Sequence, residues 1–124
     1  MSDAHSAGRL TVAVIDGLRG APADGMLIDL FRAPPGAGER RHLRTVETTA
    51  SGAVATPLLE GEELIAARYE LLFHLGRYFK AQRATLEDAP FLDVIPVRFA
   101  VSDIGKAHHL TLVASPWAYT VYRS

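Results

Sequence analysis

The sequence predicts an all-β domain, a β-sandwich of seven to eight strands with one short helix. Three observations predict it. Several short runs rich in β-branched residues alternate apolar and polar side chains with a period of two, as half-buried strands require. Clusters of Gly and Pro separate those runs as turns. A single stretch has helical character and no internal repeat is present, so two sheets packed face to face are the layer arrangement that can bury the apolar faces.

The first strand runs from Leu10 to Asp16 and stops at Gly17. By parity Leu10, Val12 and Val14 face one way, toward the core, while Thr11, Ala13 and Ile15 face the other. A turn over Gly20–Gly25 leads to a second strand, Met26–Arg32. The Pro34–Gly38 loop follows, and the charged cluster Glu39-Arg40-Arg41-His42 beside it reads as a solvated hairpin tip. Leu43–Thr49 makes a third strand and Ala50-Ser51-Gly52 a tight turn. Leu58–Leu64 is a connection whose structure the sequence leaves open. Tyr69, Leu71, Phe73 and Leu75 alternate with Arg68, Glu70, Leu72 and His74 as a half-buried strand, with His74 solvated on the polar face. Tyr78–Ala84 is the helical stretch, too short to stand without packing on the sheet. In the next strand, Asp93–Val101, Pro96 points to a sheet edge or a bulge.

The chain of 124 residues, 48% hydrophobic, is long enough to bury one core without staples. The expected division is a disordered leader over residues 1–9 and a single domain over 10–124. Thirteen basic against fourteen acidic residues give a formal net charge of −1, which supplies no electrostatic attraction to nucleic acid or to an acidic membrane. With no cysteine, disulfide and thiolate chemistry are excluded. The opening residues lack an apolar signal segment and no later run reaches the length of a membrane span, so a soluble cytoplasmic protein is the expectation.

The chemistry gathers at the C-terminus. His108 and His109 precede the apolar strand Leu110–Ala114, a Ser115-Pro116 turn follows, and the chain closes on Tyr119-Thr120-Val121-Tyr122-Arg123-Ser124. Termini fray unless a sheet holds them, so a Tyr-Arg pair at the very end implies that the tail is tied down. His109 shares parity with Thr111 and Val113, opposite the core face of Leu110, Leu112 and Ala114. It therefore points outward, where an imidazole, titrating near neutrality, can act as a general base on a water. His108 points inward and takes no catalytic role. Tyr122 shares a face with Thr120 and Ser124, so three hydroxyls can line one cavity.

His109–Pro116 and Tyr122-Arg123-Ser124 resemble the tail of the 5-hydroxyisourate hydrolases, the transthyretin-related enzymes, which end in Tyr-Arg-Gly-Ser. Here the glycine is missing, which leaves the register of Arg123 and Ser124 open. Gly76-Arg77-Tyr78-Phe79-Lys80 and Ile95-Pro96-Val97-Arg98-Phe99 resemble two framework segments of the same family, and the likeness runs from Leu10 to Ser124. It implies a transthyretin-like (prealbumin-like) sandwich and a homotetramer with its sites in a channel between dimers. The implied partner is a small heterocyclic substrate or ligand, with no cofactor and no metal.

The resemblance also assigns the site. His109, Tyr122 and Arg123 take the catalytic places, and Thr120, Ser124 and Thr111 help to bind the substrate. Two family residues, a histidine on the first strand and an arginine after the tight turn, fall on Ala13 and Ala53. Both replacements leave a methyl group, making the cavity wider, more apolar and less suited to an anion.

Two functional readings follow. In the first, a hydrolase opens a cyclic amide ring with water activated by His109, while Tyr122 and Arg123 orient or stabilise the substrate. In the second, the same channel holds an apolar or aromatic ligand without chemistry, as Ala13 and Ala53 suit. A variant of the first has a homologous subunit completing the site. The blandest reading makes His109 a packed residue and the tail an interface strand. His5, His42 and His74 lack the spacing of metal ligands, Ser115 lacks a nucleophile elbow, and no glycine-rich phosphate loop precedes a helix.

Overall fold

Period-two alternation gives each strand an apolar and a polar face, and two sheets close on their apolar faces. In the computed structural model of the chain, which describes residues 8–36, 38–82 and 89–124, the described residues form nine strands and one α-helix. In chain order they are β1 (Arg9–Asp16), β2 (Ala21–Pro22), β3 (Leu27–Arg32), β4 (Arg41–Glu47), β5 (Leu59–Glu60), β6 (Ala67–His74), α1 (Leu75–Ala81), β7 (Val94–Val101), β8 (Ala107–Ala114) and β9 (Tyr119–Arg123). Two of the strands, β2 and β5, have only two residues each.

One sheet has the order β2-β1-β8-β9, with β5 also pairing β1, and the other has the order β4-β3-β6-β7. β1 and β8 run parallel over their whole length, from Arg9 opposite Ala107 to Asp16 opposite Ala114. Leu10, Val12 and Val14 of β1 and Leu110, Leu112 and Ala114 of β8 join Ile28, Leu30, Leu71 and Phe73 of the facing sheet in one buried cluster. Each fully buried side chain of Leu or Phe size contributes about 1.5–3 kcal/mol, so this cluster is the main reason the two sheets stay together. β7 is an edge strand, as Pro96 requires.

The far end of β1 is locked to the helix. The Asp16 side chain, 1% exposed, accepts the backbone N–H groups of Leu18 and Arg19, both at 3.0 Å, and the Tyr78 hydroxyl at 2.8 Å. Gly76 is a glycine for a steric reason, since a Cβ there would lie 2.4 Å from Asp93 Oδ1.

Several local expectations are corrected. The helix begins at Leu75, three residues before the expected Tyr78. The Gly76 N–H donates to the Asp93 carbonyl, which turns the chain out of β6 early. Gln82 is its C-cap, and Arg83 and Ala84 lie outside the described residues. β4 runs over Arg41–Glu47 rather than Leu43–Thr49; just past its end the hydroxyl of buried Thr48 accepts the Met26 N–H and donates to the Ala23 carbonyl. The Glu39–His42 cluster is more than a solvated tip: Arg41 and His42 open β4, and Arg40 is ion-paired with Glu70. His74 is half-buried, its Nε2 2.8 Å from Asp29 Oδ2. The 58–64 connection contains β5 and a 3-10 turn over Gly61–Glu63. Of the expected leader, Arg9 already belongs to β1 and the Gly8 carbonyl accepts the Gly61 N–H; residues 1–7 lie outside the described residues. No helix among the described residues is long and apolar enough to cross a membrane.

Candidate functional site

The outward face of the β1-β8-β9 sheet arranges the candidate residues in cross-strand rows. In the first row Thr11 pairs with His109, and the Ser124 N–H donates to the His109 carbonyl at 3.0 Å, which anchors the chain end. In the second, Ala13 pairs with Thr111 and Thr111 with Tyr122. In the third, Ile15 pairs with Val113 and Val113 with Thr120. His109, Thr111, Thr120 and Tyr122 therefore share one face, as cross-strand partners must. Tyr122 remains 56% exposed and available to a ligand.

His109 is held in a defined orientation. Its Nδ1 lies 2.7 Å from the Thr11 hydroxyl, and that hydroxyl lies 3.5 Å from the His108 carbonyl. The hydroxyl can either accept the Nδ1 proton while donating to the His108 carbonyl, or donate to Nδ1, according to the tautomer of His109. His108 points inward, as expected, and its Nε2 bonds the Asp103 carbonyl at 2.6 Å. Sequence reasoning placed Thr11 on the correct face but missed its contact with His109, which depends on the parallel β1–β8 register.

Ala13 and Ala53 meet directly. They form an isolated antiparallel bridge, so the second row extends to Ala53, Ala13, Thr111 and Tyr122. The tight turn is fastened to β1 by the Val14 N–H donating to the Gly52 carbonyl at 2.8 Å. Gly52 has φ +82°, and a Cβ there would lie 2.6 Å from the Val14 carbonyl oxygen, so only glycine fits.

Arg123 departs from the other candidates. It pairs with Leu110, whose side chain is in the core, and so has inward parity at the exposed end of β9. The fold does not bring it onto the face of His109. Among the described residues no group of three or more His, Asp or Glu is arranged to hold a metal ion.

The HIUase/Transthyretin family model matches residues 10–124. The chain belongs to the HIUase/transthyretin family. Among its relatives is 5-hydroxyisourate hydrolase 2 of Rhizobium meliloti, 44% identical over 117 residues that cover 94% of this chain and 95% of that one. A crystal structure of (S)-allantoin synthase superposes with a TM-score of 0.90 at 33% identity; the match covers 96% of this chain but only 44% of that protein. Sea bream transthyretin in complex with thyroxine superposes with a TM-score of 0.83 at 26% identity, covering 94% of each chain. The family's two-sheet sandwich is thus present over nearly the whole chain, with the resemblance read from the tail included.

Proposed function

We propose that this member of the family is a hydrolase of the 5-hydroxyisourate type. The observation that carries the reading is the Thr11–His109 contact at 2.7 Å, which fixes the imidazole on the outward face. Relatives named 5-hydroxyisourate hydrolase at 36–44% identity over more than nine-tenths of this chain support it. His109 Nε2 takes a proton from water as the water oxygen bonds to a ring carbonyl carbon. The ring C–N bond then breaks, the proton passes to the leaving nitrogen, and a carboxylic acid remains on the opened chain. Tyr122 and Thr111 donate hydrogen bonds to the substrate from the next row, and Thr120 and Ser124 border it. Arg123, which the fold does not bring onto this face, is given no part in the step. The reaction needs no cofactor.

In the same reading the chain is a cytoplasmic homotetramer with its sites in a channel between dimers. Exposed Ile15, Leu18, Trp117 and Tyr119 at one end of this sheet are the kind of surface an assembly covers, and the lack of cysteine suits a reducing compartment. The Ala13–Ala53 bridge favours a second reading, a carrier of an apolar ligand in that channel. The two are separated by following the decay of freshly generated 5-hydroxyisourate with and without the protein. Acceleration over the spontaneous rate, lost in His109→Asn, is the expected result. No acceleration leaves the carrier, or a subunit completed by a homologous partner. Sedimentation equilibrium tests the assembly, and a monomer in solution would overturn the channel.

A further inference from the structure

The outward face of the other sheet carries a second cluster that ring opening does not use. Phe31, Glu70 and Arg98 are cross-strand neighbours on β3, β6 and β7. Alternation places Glu70 outward, yet it is only 6% exposed. Two arginines cover it. Arg40 lies over the Phe31 ring, 4.0 Å from its centroid, and bonds Glu70 Oε1; Arg98 Nε donates to Glu70 Oε2 at 2.9 Å. A buried carboxylate held this way is neutralised and hydrogen-bonded, as burial demands.

The arginines exceed that need. Arg98 spends its Nε on Glu70 while its side chain stays 83% exposed, so its terminal nitrogens remain open. Arg68, two residues before Glu70 and on the same face, makes no ion pair among the described residues. Three guanidinium groups against one carboxylate leave two positive charges in one place. They line a cleft of about 630 Å³ whose remaining wall includes Pro34, Phe99 and Ala100. The volume is in the range of small-molecule sites, and forked donors beside an apolar wall suit a planar or tetrahedral anion with an apolar body.

We propose that this cleft is a second ligand site, separate from the His109 face, for a small organic dianion carrying an apolar portion. Arg68 and Arg98 bind the anionic group, Glu70 fixes Arg40 and Arg98 in place, and the Pro34 and Phe99 side receives the apolar part. The test titrates the full chain with phenyl phosphate, inorganic phosphate and phenol, reading heat and backbone amide shifts. Phenyl phosphate is expected to bind saturably, more tightly than either fragment, and to shift the amides of Glu70, Arg98 and Ala100. Arg68→Ala removes charge-assisted donors without exposing Glu70 and is expected to weaken binding about tenfold. Arg68→Glu is expected to abolish it. Both variants keep their near-UV circular dichroism. The readout is binding alone, so it stands or falls apart from ring opening. Absence of saturable binding, equal affinity in Arg68→Ala, or shifts confined to the His109 face overturns the proposal.

Discussion

Thr11 Oγ1 and His109 Nδ1 lie 2.7 Å apart across the parallel β1–β8 ladder. The pair joins the first strand to the last quarter of the chain, and it holds the His109 ring by its Nδ1. In the proposed mechanism the hydroxyl accepts from Nδ1, its own proton directed to the His108 carbonyl 3.5 Å away. A side chain that could only donate, or could not bond at all, would leave the ring free to turn or to hold its proton on the wrong nitrogen.

Thr11→Val keeps the shape and removes the hydroxyl. Its kcat for ring opening is expected to fall about 10- to 100-fold with KM little changed, because the residue acts through His109 and not on the substrate. Thr11→Ser restores the hydroxyl and most of the rate. His109→Asn loses the base itself, worth about 10²- to 10⁴-fold. Steady-state kinetics on the four proteins check this, and an unchanged kcat in Thr11→Val removes Thr11 from the mechanism.

The Tyr78 hydroxyl is pushed up to about 12 from its ordinary 10.0, by burial first and then by the hydrogen bond to Asp16 and the charge of that carboxylate. A raised value in the folded protein means that the interaction stabilises fully below pH 10 and fades as pH rises from 10 through 12. Tyr78→Phe is expected to lose about 1–2 kcal/mol at neutral pH, since a buried charged acceptor loses a donor. Alkaline unfolding of the native protein exceeds that of Tyr78→Phe over the same window. Denaturant melts at neutral and alkaline pH measure both, with ultraviolet titration of the tyrosines as an independent count.

Asp29 sits between His74, Thr45 and His42 on the outward face of β3. Burial raises its carboxyl, but hydrogen bonds from Thr45, His74 and His42 and the charge of His74 outweigh it and hold it below 3.8. A depressed carboxyl stabilises above the unfolded value and loses that contribution as pH falls through the folded one. Asp29→Asn is therefore expected to melt lower than the native protein at pH above 3.8 and to converge with it on further acidification. A difference in melting temperature that stays constant down the acid range would contradict this account.

The strand faces were legible in the sequence because parity is local: Leu10, Val12 and Val14 turned inward, and His109 outward, as their neighbours dictated. What depends on distant partners was not legible. Glu70 reads as a solvated residue until Arg40, thirty positions earlier, folds over Phe31 to cover it. Thr11 reads as an ordinary strand threonine until the β1–β8 register sets it against His109. The helix start moved because Gly76 bonds Asp93, a contact that no periodicity within Leu75–Ala81 announces.

Ala13 and Ala53, the positions where the family resemblance expects a histidine and an arginine, face each other in one bridge beside Thr111 and Tyr122. Side chains added at these two positions would thus lie on the row next to His109. Ala13→His combined with Ala53→Arg puts an acid-base group and an anion clamp on the row next to His109. Each such group is worth about 10²-fold or more in rate, so the double variant is expected to raise kcat/KM for 5-hydroxyisourate by at least that factor. Each single variant gains less, because a clamp without the second imidazole, or the reverse, completes only one interaction of the transition state. Initial rates on fresh substrate decide it, with circular dichroism confirming the fold. A folded double variant without gain would mean that the row no longer borders the reacting ring, and would shift the weight to a carrier whose two methyl groups shape an apolar ligand site.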